Sequence, residues 1–174
     1  VAGLAPATVR RQGRANAAIM GRMTGSWGDV RLAVAADQAA VERLVHDAYE
    51  PWIDVVGMRP LPMEADYGAL IGAGRVHVVG EEIDGLIVLV PEDGVLLVDN
   101  VAVRPGLHGR GVGRRLLAYA EHEAARLGLP ALRLYTNVKM ASNIALYTRL
   151  GYVETGRVGI EGRSAVMMRK ELAT

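Results

Sequence analysis

The 174-residue chain has no cysteine and no phenylalanine, and of its 20 basic residues only Lys139 and Lys170 are lysines. Without thiols there is no disulfide framework, no thiolate nucleophile and no cysteine-ligated metal. That fits a reducing compartment, and a cytoplasmic location is the expectation. Apolar runs such as Leu86–Val90 and Val95–Val98 fall far short of the ~18–20 residues that span a bilayer, so no membrane role is expected. A net charge of +1 gives no bulk pull toward nucleic acid. The arginine excess, in a chain rich in Ala, Gly and Val, reads as the codon bias of a GC-rich genome. His46, His77, His108 and His122 lie on different predicted elements without ligand spacing, so no metal site is expected. Ser26, Ser142 and Ser164 lie outside any G-x-S-x-G context, which argues against a serine hydrolase.

The length suits one domain with its own core. Residues 1–28 stand apart as a basic N-terminal arm, with Arg10, Arg11, Arg14 and Arg22, no acidic residue and no sustained apolar periodicity. No apolar segment of signal-peptide type follows these arginines. With only Trp27 as a nearby aromatic, they are a thin basis for nucleic-acid binding. Val1, Leu4, Val9, Ile19 and Met20 could anchor the arm, and a homodimer with the arm across its interface is the expectation. Residues 29–174 form the domain proper.

From Asp29 the pattern becomes regular. Val30, Leu32 and Val34 alternate as in a strand, and Asp37 opens a helix whose stripe is Val41, Leu44, Val45 and Ala48. Pro51 ends that helix and begins a loop containing Pro60 and Pro62, and a short helix follows near Glu64–Ala73. Three apolar runs, Val76–Val79, Leu86–Val90 and Val95–Val103, are separated by turns carrying Asp84-Gly85 and Asp93-Gly94, which predicts an antiparallel meander. A helix striped by Val112, Leu116, Leu117, Ala120, Ala124 and Leu127 then runs to Gly128. A strand Ala131–Thr136, a helix Ser142–Leu150 and strands Tyr152–Thr155 and Ala165–Lys170 complete the chain.

The densest chemical signal lies between the third strand of the meander and the long helix, at His108-Gly109-Arg110-Gly111-Val112-Gly113-Arg114-Arg115. At a helix start the first N–H groups have no intrahelical acceptor, and together with the helix dipole they bind anions. Glycines let the backbone come close to the anion. A P-loop needs Gly-Lys-Ser/Thr where this chain has Gly113-Arg114-Arg115, and the dinucleotide fingerprint lacks its third glycine. The segment resembles instead the acyl-CoA loop of the GNAT acetyltransferase superfamily, Gln/Arg-x-x-Gly-x-Gly/Ala. The match is His108-x-x-Gly111-x-Gly113, with His108 departing from the Gln/Arg position. Downstream, Asn143-Ile-Ala145-Leu-Tyr147-Thr-Arg-Leu-Gly151-Tyr152 resembles the superfamily's second motif, with altered spacing between its Asn, Ala and Tyr.

The resemblance spans roughly Val30–Lys170 and implies an α+β fold. Its central sheet would be mixed but mostly antiparallel, of about seven strands, splayed between the fourth and fifth and flanked by about four helices. It implies acetyl-CoA as co-substrate, without a metal, and an N-acetyltransferase acting on a small-molecule or peptide amine in a ternary complex. The implied cofactor contacts are Val101, Ala102, Val103, His108, Gly109, Arg110, Gly111, Val112, Gly113, Arg114 and Asn143. Tyr147 is implied as the acid for the departing thiolate. Asn143 reads either as a cofactor contact or as a stabiliser of its helix terminus. Asp99, next to Asn100 in an apolar strand, suggests a bulge presenting a base or an ammonium-attracting group, or simply a solvated Asp. The acceptor pocket is expected from the Tyr49–Tyr67 segment and the turn near Arg157–Arg163. Within that segment Trp52, Asp54, Glu64, Asp66 and Tyr67 would suit an amine with an apolar body, or could equally be a capped helix and its surface. Two other functions remain open, a protein N-terminal acetyltransferase and a non-catalytic acyl-CoA-binding sensor module.

Overall fold

The computed structural model describes residues 30–160 and 162–172. The basic arm, and with it the expected arm-mediated dimer, lies outside those residues. The strands are β1 (Val30–Leu32), β2 (Val76–Val79), β3 (Gly85–Glu92), β4 (Val95–Val103), β5 (Ala131–Asn137), β6 (Val153–Ile160) and β7 (Arg163–Glu171). They form one sheet in the order β1-β2-β3-β4-β5-β7-β6. Every pairing is antiparallel except β4 with β5, which is parallel.

The helices are α1 (Gln38–Tyr49), α2 (Trp52–Val56), α3 (Tyr67–Gly72), α4 (Val112–Arg126) and α5 (Ala141–Arg149). Among the described residues this is one α-helix more than the sequence pattern predicts. Pro51 does not open a loop but caps α2, because a proline at a helix start loses no intrahelical bond.

The core lies on both faces of the sheet. Ile87, Leu89, Leu96 and Val98 pack with Leu116, Leu117 and Ala120 of α4 on one face. On the other, Val76, Val78, Leu86 and Val88 pack with Val41, Leu44 and Val45 of α1 and Tyr67 and Ile71 of α3. Strict alternation along β2 and β3 supplies both faces.

Strand β4 breaks that alternation, and the break builds the site. Val88 pairs with Asn100 but Leu89 with Val98, so Asp99 is the extra residue of a bulge. Because side chains alternate with period two, one inserted residue exchanges the faces of everything beyond it. Leu96 and Val98 therefore face α4, whereas Ala102, of the same parity, packs on the α1 side and Val101 takes the α4 side.

The parallel ladder between β4 and β5 is short, with Leu96, Leu97 and Val98 opposite Leu132, Arg133 and Leu134. Beyond it β5 continues against β7 only. The two central strands part at the bulge, and the edge of β4 from Asp99 to Val103 opens onto a gap.

Candidate active site

Two cavities meet at this gap. One is lined by Val101–Val103, His108, Gly109, Gly111–Arg114, Trp52 and the outer face of α5. The other is lined by Pro60–Pro62, Asp99, Asn100, Tyr135, Asn137, Met140 and Arg163. Tyr49, Val101, Asn143 and Tyr147 line both. These four residues are common to both cavities, so molecules bound in the two would meet beside them.

The first cavity is floored by the turn into α4. Gly109 and Gly111 have φ of 78° and 85°, a region that costs L-residues roughly 1–2 kcal/mol. An added Cβ at either would meet nothing within 4 Å. The backbone conformation requires these glycines, and the space before them is open to a ligand. Gly113 is helical, and a Cβ there would sit 3.5 Å from Val103 Cγ2, an ordinary contact.

The Arg115 N–H donates to the Gly111 carbonyl at 2.9 Å, closing the first turn of α4 and aiming the preceding amides out of the helix end. Arg104 anchors the start of the turn, 3.2 Å from Glu82 and 3.6 Å from Asp84. His108 Nε2 lies 3.3 Å from the Val103 carbonyl, tying the turn back to β4. Arg114 lines the cavity, whereas Arg110 and Arg115 are not among the lining residues. Oriented amides, open glycines and one arginine fit the pyrophosphate of a nucleotide, and the exposed edge of β4 fits an extended amide-bearing chain.

At the junction, the Tyr49 hydroxyl donates to Asn100 Oδ1 at 2.6 Å, and Asn100 Nδ2 donates to the Tyr67 hydroxyl at 3.0 Å. Tyr67 in turn donates to the Pro62 carbonyl at 3.0 Å. This chain joins α1, the bulge, α3 and the loop before it. Asn100 is only 5% exposed, so its amide depends on these partners. Asp99, the extra residue of the bulge, lines the second cavity beside Asn100.

Tyr147 stands one helical turn beyond Asn143 on the same face of α5, with its ring edge-on to Tyr152 at 5.8 Å between centroids. Burial pushes the Tyr147 phenol up to about 12. Tyr49 is also raised well above its ordinary value, first by burial and then by Tyr147, Tyr67 and Asp99. Both hydroxyls therefore stay protonated through the neutral range.

Asn143 does not cap its helix; α5 starts without a side-chain cap, and Asn143 Nδ2 contacts Met140 Sδ at 3.6 Å while lining both cavities.

On the acceptor side the Tyr49–Tyr67 segment supplies Tyr49, Val56 and Pro60–Pro62 to the second cavity and the turn supplies Arg163, but the side chains named within that segment lie elsewhere. Trp52 lines the first cavity, not the second. Asp66 caps α3, accepting from the Ala69 N–H at 2.9 Å, and Glu64 pairs with Arg163 at 3.1 Å. Neither Asp66, Glu64 nor Asp54 lines the second cavity, and Tyr67 does not line it either but bonds to Asn100 and Pro62, which do. Tyr135 and Asn137 were not singled out from the sequence as site residues, and Tyr49 entered only as the first residue of the acceptor segment. Tyr49 ends the apolar stripe of α1, and a tyrosine there reads as packing.

Among the described residues no group of three His, Cys, Asp or Glu side chains could hold a metal. No helix among them is long and apolar enough to cross a membrane.

Comparison with known proteins places residues 30–152 within a family model described as the acetyltransferase (GNAT) family. The chain is 41% identical over 78 residues to an IAA acetyltransferase of Azospirillum brasilense, covering 45% of this chain and 51% of that protein. It is 34% identical over 58 residues to an aminoalkylphosphonate N-acetyltransferase of Salmonella typhimurium, covering 33% of this chain and 38% of that protein. The chain thus spans about half the length, or less, of these curated relatives. Its fold is similar to that of the PaiA N-acetyltransferase of Thermoplasma acidophilum in complex with coenzyme A. The TM-score is 0.71 at 13% identity, over 83% of this chain and 98% of that one.

Proposed function

Because the chain belongs to the GNAT acetyltransferase family, we propose that it transfers an acetyl group from acetyl-CoA to the primary amine of a small molecule or peptide, by direct attack in a ternary complex. The observation that carries this reading is the meeting of the two cavities at Tyr49, Val101, Asn143 and Tyr147. It lets an amine on one side reach a thioester on the other.

Acetyl-CoA supplies an activated acyl carbon, which takes the amine's electron pair while the carbon–sulfur bond breaks. The amides of Gly111, Val112 and Gly113 hold the pyrophosphate, assisted by Arg114 and by the positive end of α4. The exposed edge of β4 at Val101–Val103 aligns the pantetheine arm as an added strand would, and a main-chain N–H there polarises the thioester carbonyl. Holding both reactants in line contributes much of the rate without any titrating group. Asp99 attracts the ammonium into the second cavity and takes its proton directly or through water.

The proton lost by the amine must end on sulfur. With Tyr147 near 12 and a thiol near 8.5, complete transfer from the phenol is uphill by roughly 5 kcal/mol. Tyr147 therefore acts first as a hydrogen-bond donor to the departing sulfur, relaying a proton only as another reaches its own oxygen.

Tyr147→Phe is expected to leave the KM for acetyl-CoA nearly unchanged and to lower kcat about 10²-fold, the low end for such catalysis. The pH profile carries the sign. The raised Tyr147 phenol remains neutral below pH about 12, so turnover should rise as the amine deprotonates and show no descending limb from Tyr147 below that pH. Equal kcat for variant and wild type, with chemistry rate-limiting, would remove Tyr147 from the mechanism.

A further inference from the structure

The second cavity has a charge pattern that an unadorned amine does not explain. Its walls are mostly apolar or neutral, with Val56, Pro60, Leu61, Pro62 and Met140 among them, and among the described residues the charged ones lining it are Asp99 and Arg163. Asp99 projects from the bulge of β4. Arg163 begins β7, two residues before Ala165, which pairs with Asn137 at the end of β5. Strand β5 lies between β4 and β7, so the two charges come from opposite walls, at least two strand spacings or about 10 Å apart along the backbone. Both side chains reach inward and shorten that span.

The Arg163 side chain is only 13% exposed. Its Nη2 donates to the Arg59 carbonyl at 2.9 Å and to Glu64 at 3.1 Å, which fixes the guanidinium plane against the loop before the Leu61–Glu64 turn. Glu64 is 44% exposed and does not line the cavity, so it holds the arginine from the solvent side, where an ion pair is weakened by water. A guanidinium carries five N–H donors in a planar fork suited to carboxylates and other oxyanions. Presented to a largely apolar space, it favours an oxyanion and disfavours both a plain hydrocarbon and a second ammonium.

We infer that the second cavity selects amines that carry an oxyanion, a carboxylate or phosphonate, in the same molecule, with the ammonium at Asp99 and the anion at Arg163. This deepens the acetyltransferase reading and rests on it. Arg163 is a specificity residue on the side away from the leaving group and takes no part in the chemical step.

The test compares matched amines that differ only in the anion: phenylalanine with phenethylamine, leucine with isopentylamine, and aminomethylphosphonate with methylamine. For wild type, at least one anionic member should exceed its partner in kcat/KM. Losing a desolvated charge pair should make Arg163→Gln cut kcat/KM for that member by about 10²-fold. The same variant should leave its neutral partner and the KM for acetyl-CoA within about threefold. Arg163→Lys should retain part of the preference, as a point charge without the fork. The phosphonate pair tells which oxyanion is preferred.

Equal loss for both members of each pair would mean that Arg163 is only a latch to Glu64, and would overturn the inference, as would a wild type indifferent to the anion. If no amine is acetylated, calorimetry of the same amino acids and aminomethylphosphonate with CoA-saturated protein separates the two readings. Binding lost in Arg163→Gln would uphold the anion site while the acetyltransferase reading fails; no binding would sink both.

Discussion

Gly111→Glu is expected to abolish CoA binding while the domain still folds. The substitution places a β-carbon at φ 85°, costing roughly 1–2 kcal/mol, and sets a carboxylate in the open space before the helix terminus, where the pyrophosphate would lie. Wild-type protein at a CoA concentration 100 times its Kd should gain about 2.7 kcal/mol of stability, a rise in Tm of roughly 5–10 °C for a domain of this size. The variant should show a rise near zero and an affinity reduced by about 10³-fold or more, an estimate based on introducing charge repulsion at an anion site. Gly111→Asn separates strain from charge, because asparagine tolerates the left-handed region and adds no negative charge; it should retain most of the shift. A wild-type shift in Gly111→Glu would detach the glycine turn from cofactor binding.

Asn100→Leu should have the largest effect on stability. Asn100 accepts from Tyr49 and donates to Tyr67 from a position 5% exposed. Removing it strands the Tyr49 hydroxyl, whose other near acceptor is the Val101 carbonyl at 3.4 Å. It also leaves Tyr67 without its donor. Each such loss costs about 1–3 kcal/mol, so the Tm should fall by roughly 5–15 °C. Turnover of the folded fraction should fall more than about tenfold, since the bulge that presents Asp99 loses its anchor, while the KM for acetyl-CoA changes little. Thermal unfolding and steady-state kinetics on one preparation check both parts. Unchanged kcat at reduced Tm would confine the network to stability.

What the sequence disclosed and what it withheld divide along contact range. The glycine turn was readable residue by residue because its conformation is local: positive φ at Gly109 and Gly111 and a helix beginning at Val112 are set by neighbours in the chain. The bulge was readable from Asp99-Asn100 interrupting an apolar run, and the seven strands from alternation and turn residues. Legible in outline only was the consequence of the bulge, the exchange of faces that sends Asn100 to Tyr67 and Val101 toward α4.

The acceptor side was legible as two segments but not residue by residue, because its contacts are distant in sequence. Tyr49 meets Asn100 across 51 residues and Arg163 meets Arg59 across 104. No local pattern distinguishes Glu64, which holds Arg163 from outside, from a carboxylate that faces the ligand. Asp66 carried a cap signal and a pocket signal at once, and the cap took it.

Acetyl transfer is tested most directly by thiol release from acetyl-CoA by the wild-type chain, with and without amine, alongside mass detection of the acetylated product. Direct transfer in a ternary complex requires release that depends on an amine, matches acetylated product one for one, and saturates in both substrates with intersecting double-reciprocal lines. CoA binding with no amine-dependent release across small amines, amino acids and peptides would contradict it, and would make the chain an acyl-CoA-binding module.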